Sequence, residues 1–222
     1  MQHGKDEFDK KYFGIFFQKY DQSELAFYYR WFKGWVNLLN AFLPLQDGKG
    51  KNVLEVGCAI GSFAKILKEN GFKVVATDIS EFIIEKAKKL QSNIEFKVLD
   101  IENEVNTKQK YDYIFALEVV EHLKNPKKAI GNMKKLLKKD GVLVLSTPIP
   151  TKQTLADPMH INVHEPLFWI NTGKNLGFSK TSFNHVAFIP FLYRIHSIFS
   201  LGFRVKFNLP FVNNTVFYFF TN

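Results

Sequence analysis

"VLEVGCAIGSFAKIL", Val53–Leu67, is a strand, a glycine turn and the start of a helix in fifteen residues. Apolar residues lead to Glu55 and Gly57, Gly61 follows four positions later, and an amphipathic run continues from Ser62. Turns of this kind hold nucleotides or nucleosides, and the spacing discriminates between them. A dinucleotide fingerprint requires a second glycine where this chain has Ala59, with different spacing thereafter. A P-loop requires Gly-Lys followed by Ser or Thr, which is absent. Glu55, just ahead of the turn, opposes a phosphate.

Outward from this stretch the pattern repeats. "KVVATD", "IEFKVLD", "YDYIFAL" and "GVLVLSTP" read as strands, with helical segments after Gly61, after Ser80 and from Pro126 to about Lys139. Ser80 is a good helix N-cap, and Pro126 a good first helical residue. Five apolar strands alternating with helices predict a parallel sheet covered on both faces. "HEPLFWINTGKNLGF" reads as a helix, "SKTSFNHVAF" as a strand, "IPFLYRIHSIFSLGF" as an apolar helix and "NNTVFYFFTN" as a closing strand. Residues 8–43 carry aromatic and apolar side chains at helical spacing. Of the 35 aromatic residues only seven lie within 51–150, so a lean core is flanked by aromatic-rich segments. The expected fold is α/β: a Rossmann-like, doubly wound, seven-stranded sheet, mostly parallel with an antiparallel last strand. An N-terminal helical lid (1–48) precedes a ligand-binding domain (49–222), in which 150–213 supply acceptor-side elements, including an apolar helix insertion.

Ligands of such sheets sit at the carboxyl ends of the strands. Here those ends carry Glu55, Asp78, Asp100 and Glu118. Asp78 follows Gly57 by 21 residues, the place of an acid that accepts from ribose hydroxyls. A carboxylate-lined site with a ribose acceptor and no phosphate cradle suits a cationic nucleoside, and S-adenosylmethionine has a ribose, an ammonium and a sulfonium.

The ordered set Glu55-x-Gly57-x-x-x-Gly61, "VVATDIS", "FKVLDIE", "YDYIFALEVVEHLKNP" and "GVLVLSTP" resembles the class I S-adenosylmethionine-dependent methyltransferases over about residues 50–190. The resemblance is nearest to their ubiquinone- and small-molecule-methylating branch. It implies that Gly57, Ala59 and Gly61, with Glu55 ahead of them, form the turn under the methionine part of the cofactor. Asp78 would take the ribose and Ile79 the adenine face. Asp100 and Ile101 would take the adenine edge, and Leu117 and Glu118 the amino-acid end.

The implied reaction moves a methyl group to an oxygen, with nitrogen and carbon as lesser alternatives, of a small, apolar or lipid-linked acceptor. A proton-bearing acceptor needs a base, and His160, then His122, are the candidates. Some relatives hold a divalent metal with an acid-acid-histidine cluster. Glu118, Glu121 and His122, completed by His160 or His164, form the alternative metal set here, although no metal is expected. Competing readings are a metal-assisted RNA methyltransferase and a catalytically silent S-adenosylmethionine-binding protein.

The net charge of +9 is spread over lysines on helix faces, and no RNA-binding motif stands out, so a nucleic-acid partner is not expected. One cysteine excludes an intramolecular disulfide, and the charged N-terminal stretch lacks an apolar signal core. A cytoplasmic protein is expected. Arg194, His196 and Pro190 oppose a membrane-spanning helix at 189–203, leaving packing or contact with a membrane surface.

Overall fold

The computed structural model describes residue 8 and residues 10–103, 105–188, 202–203 and 213–222. The chain divides into two compact units, Met1–Asp100 with Phe188–Phe203 and Ile101–Ala187 with Arg204–Asn222.

The first unit opens with α1 (Lys10–Phe16) and α2 (Gln22–Leu39). The helical pattern expected over 8–43 is therefore broken, and the break has a physical cause. Tyr20 adopts a left-handed φ of 52°. The Glu24 carboxylate accepts the backbone N–H groups of Gln18 (2.7 Å), Lys19 (3.1 Å) and Tyr20 (2.6 Å), so the bend satisfies donors that a helix would have used. Asp21 then caps α2 by accepting from Ser23 N (2.9 Å) and Glu24 N (3.1 Å). Phe13 and Phe17 pack with Leu25, Ile60 and Ile83, so the N-terminal helices sit directly on the glycine turn.

The core of this unit is β1 (Asn52–Val56), α3 (Ser62–Glu69), β2 (Lys73–Asp78), α4 (Glu81–Leu90) and β3 (Glu95–Val98). The strands are parallel in the order β3-β2-β1, with Glu55 opposite Ala76 and Asp78 opposite Val98. Val53, Leu54, Val74, Val75 and Ala76 are all buried, as strands covered on both faces require. The ladder continues into the turn through Cys58 N to Thr77 O (2.9 Å). Ser80 caps α4 as expected.

The second unit holds β4 (Tyr111–Leu117), a 3-10 turn at Val120–His122, α5 (Pro126–Leu136), β5 (Leu137–Pro148), α6 (Lys152–Ala156), α7 (Pro166–Asn175) and β6 (Lys180–Phe188). Between β6 and the closing β8 (Asn213–Thr221), Gly202–Phe203 forms a two-residue strand, β7, that belongs to the first unit. The strands of the second unit run in the order β4-β5-β8-β6. β4 and β5 are parallel, and β8 is antiparallel to β5 from Val142↔Thr221 to Pro148↔Thr215.

Other elements differ from the expected pattern or fall outside the described residues. α5 ends at Leu136 instead of Lys139, because Leu137 already pairs with Tyr111 and the "KKDG" stretch continues β5 through a register shift. α6 was not foreseen; Thr151 and Thr154 build its capping box. Residues 189–201, expected to be helical, lie outside the described residues, and Gly202–Phe203 is strand. No described helix is long and apolar enough to cross a membrane. The remaining order of strands and helices is the Rossmann-like one expected, mostly parallel with an antiparallel last strand.

Gly61 caps α3 at a φ of 82°, and a Cβ there would lie 2.6 Å from the Phe96 ring and 2.7 Å from Gln91 Nε2. Gly61→Ala is expected to destabilise the protein by about 2–4 kcal/mol through strained backbone and overpacking, measured as a drop in urea midpoint.

Candidate active site

In the first unit the site is built from the end of β1, the glycine turn and the end of β2. Asp78 is only 6% exposed. Its carboxylate accepts from Ala59 N and Ser80 N, both at 3.0 Å, and so joins the turns that follow the two strands. Burial pushes its pKa up to about 6 against the pull of those bonds and one from Ile79. Glu55 is buried, and burial holds it well above the usual carboxylate range, with Asp78 adding to the effect. One carboxylate oxygen of Glu55 has no hydrogen-bond partner. Gly57 and Ala59 take left-handed φ values of 75° and 49°, which turn the backbone sharply at the strand end. Gly57 is exposed; Ile79 and Asp100 are half-buried. Cys58 is buried, and burial pushes its thiol up.

In the second unit Ile101 is buried and its carbonyl accepts from Asn132 Nδ2 (2.9 Å). Leu117 is half-buried at the end of β4. Glu118 takes a left-handed φ of 54°. Although part of its surface meets solvent, its Oε1 is enclosed, accepting from Ser146 Oγ (2.7 Å) and Thr215 Oγ1 (2.9 Å). Ser146 Oγ in turn accepts from Glu118 N (2.9 Å). Burial of the carboxylate raises the Glu118 pKa and the two hydroxyls lower it. Sequence reasoning passed over Ser146 and Thr215, whose only signal was a hydroxyl at a buried strand position.

Glu121 is fully buried, and among the described residues neither carboxylate oxygen finds a hydrogen-bond partner in another residue. Burial, then the neighbouring Glu118, lifts its pKa well above the usual range. His122 Nδ1 lies 2.9 Å from Met159 O, and His160 Nδ1 lies 3.1 Å from Thr154 O. Carbonyls only accept, so each Nδ1 carries a proton, and in the neutral ring the lone pair is on Nε2. One donor atom each from Glu121, His122 and His160 lie within 4.8 Å of one another. The structure brings Glu121, His122 and His160 together, His160 being one of the two histidines considered for completing the set, and Glu118 lies outside this trio on its hydroxyl partners. His164 stacks on Phe168 at a ring separation of 3.7 Å and is also not in the trio.

Parallel strands, acids at their carboxyl ends and a glycine turn tied to the buried Asp78 are features of the class I methyltransferase fold. Residues 27–189 match the family model described as a methyltransferase domain, and the chain belongs to that family. It is similar to a ubiquinone biosynthesis O-methyltransferase of Coxiella burnetii, 32% identical over 148 residues, which covers 59% of this chain and 63% of that protein. It is also similar to a malonyl-[acyl-carrier protein] O-methyltransferase of Acetivibrio thermocellus, 33% identical over 119 residues, covering 52% and 42%. The matched region thus spans less than two thirds of these relatives. Among solved structures, magnesium protoporphyrin IX methyltransferase of Synechocystis PCC 6803 with bound SAH superposes with a TM-score of 0.63 at 17% identity, covering 99% and 100% of the two chains. A SAM-dependent methyltransferase of Archaeoglobus fulgidus gives 0.63 at 17% identity, covering 86% and 94%. These structures share the fold.

The buried acids carry a pH signature. Asp78 titrates at about 6 when folded and near 3.9 when unfolded. Between those values the folded chain holds a proton that the unfolded chain has released. Stability therefore falls as pH rises through the window, by about 3 kcal/mol for this group, and the deficit persists above it. Urea midpoints should be higher at pH 4.5 than at pH 7.5, and Asp78→Asn should narrow the gap.

Proposed function

We propose that this protein is an S-adenosylmethionine-dependent methyltransferase that transfers the methyl group to an oxygen of a small acceptor. The observation that carries the reading is Asp78. It is a buried carboxylate tied by single bonds to two backbone turns, with lone pairs left for a vicinal diol. The names of the relatives at 32% and 33% identity support oxygen as the target atom. A lipid-linked acceptor is the form we favour, because the Coxiella relative is named for ubiquinone biosynthesis.

When bound, S-adenosylmethionine supplies a methyl group on a cationic sulfur, which leaves as a neutral thioether and needs no acid. The residues have three tasks. The turn Gly57–Gly61 with Asp78 holds the nucleoside, while Ile79, Asp100 and Ile101 face the base, and Glu55, Leu117 and Glu118 serve the amino-acid end. Segment 1–48, of which Phe13 and Phe17 pack with Ile60 of the turn, acts as a lid that limits water. His160 removes the acceptor's proton. Its Nδ1 is fixed on Thr154 O, which leaves Nε2 as the basic nitrogen. His122, held in the same way by Met159 O, is the alternate base.

A second reading rests on a separate observation, the buried and unpartnered Glu121 beside two imidazoles anchored through Nδ1. Imidazoles oriented by carbonyl acceptors are the usual partners of a metal ion. Two such rings with one carboxylate fit zinc, iron or manganese, and Glu121, His122 and His160 would hold it. A bound divalent ion would lower the pKa of an acceptor oxygen.

Calorimetry with S-adenosylhomocysteine tests the first reading. Wild type should bind it, and Asp78→Ala should weaken binding about 100-fold or more while the circular dichroism spectrum stays unchanged; equal affinity would overturn the ribose assignment. Affinity should also fall below pH 6, where Asp78 takes up a proton and loses acceptor capacity. For the metal, zinc or manganese should raise the melting temperature of wild type and leave Glu121→Gln unmoved. No shift in wild type, together with activity unaffected by a strong chelator, removes that reading.

A further inference from the structure

The residue that fixes the floor of the glycine turn lies 30 positions away in the chain. Gln91 follows α4 and is only 5% exposed. Its Nε2 donates to Ile60 O (2.7 Å) and to Gly61 O (3.0 Å), so both amide protons end on consecutive carbonyls of the turn. The amide cannot be turned over, because its oxygen would then face two acceptors. The same nitrogen is 2.7 Å from where a Cβ on Gly61 would stand, so the turn rests directly on it.

Gln91 is itself held on several sides. Its N–H donates to Ala87 O (2.9 Å), which keeps it against the last turn of α4. The preceding carbonyl, Leu90 O, accepts from Gln22 Nε2 at the start of α2 (2.9 Å). On the other side of the turn, Ser62 Oγ donates to Leu25 O (3.3 Å) of the same helix. Gly61 and Ser62 are thus fixed from two directions, and Gln91 supplies two of the bonds.

We infer that Gln91 is a positioning residue for the cofactor: it sets the left-handed Gly61 turn, and with it the backbone that meets the methionine part of the cofactor. This rests on the reading of Gly57–Gly61 as the cofactor seat. The side chain touches neither cofactor nor acceptor in this scheme, so its effect falls on cofactor binding. Without the amide, Gly61 O keeps only Lys65 N (3.0 Å) and Ile60 O loses the Gln91 donor; a buried carbonyl short of a donor is costly, and the turn would relax away from its binding shape.

Two variants separate this from a role in stability. Gln91→Met keeps length and burial and removes the donors; Gln91→Glu keeps the shape and sets a carboxyl group against two carbonyls. Affinity for S-adenosylhomocysteine by calorimetry, the KM values for S-adenosylmethionine and acceptor, kcat and the melting temperature are compared with wild type. In Gln91→Met, cofactor KM and Kd are expected to rise about 10- to 100-fold, with kcat at saturating cofactor and acceptor KM within threefold. Gln91→Glu is expected to lose more. A folded Gln91→Met with Kd within twofold of wild type overturns the assignment, even if its melting temperature falls. A wild type that binds no S-adenosylhomocysteine overturns the cofactor reading and this one with it.

Discussion

The arrangement turns on one carboxylate. Asp78 joins the turn after β1 to the turn after β2 by accepting Ala59 N and Ser80 N. A side chain without acceptor oxygens there would leave those two N–H groups unsatisfied. The same bonds keep Asp78 from rising further than it does in an environment that disfavours charge. Burial pushes Glu55, Glu118 and Glu121 up as well, so four acids near strand ends share one physical condition. Buried carboxylates are costly to keep charged, and in each unit hydrogen-bond donors offset that cost only in part.

The two units meet this condition differently. In the first, backbone N–H groups and a glutamine amide stabilise the turn, so the proposed ligand seat is made of main chain. In the second, side-chain hydroxyls from Ser146 and Thr215 hold Glu118, and carbonyls of Met159 and Thr154 hold the two histidines. A seat made of main chain tolerates few changes of shape. A cluster of side chains can be retuned by single substitutions, which suits the part of such an enzyme that selects its acceptor.

Much of this was legible in the sequence because it depends on local spacing. The Glu55–Gly61 turn, Ser80 as a cap, Pro126 opening α5 and the apolar strands are each written within a few residues. What escaped is tertiary. "KDG" is a strong local stop for α5, yet the pairing of Leu137 with Tyr111 ends the helix earlier. The aromatic periodicity of residues 8–43 is real, but Glu24 captures three backbone N–H groups and bends the chain. Gln91 carries no local signal, since its partners Ile60 and Gly61 lie 31 and 30 positions away. Glu121 and His122 were visible as a pair in "EVVEHL", but only folding brings His160 alongside them.

Cys58 has a practical meaning beyond the turn it occupies. It is the only thiol in the sequence, it is buried, and burial raises its pKa so that it stays protonated. Thiolates, not thiols, react with maleimides and other alkylating reagents. A cysteine introduced on an exposed surface, such as the outer face of α1, would therefore be the one position that a fluorophore or spin label reaches. The native chain is ready for distance measurements between the N-terminal helices and a labelled cofactor without first removing a residue from the turn.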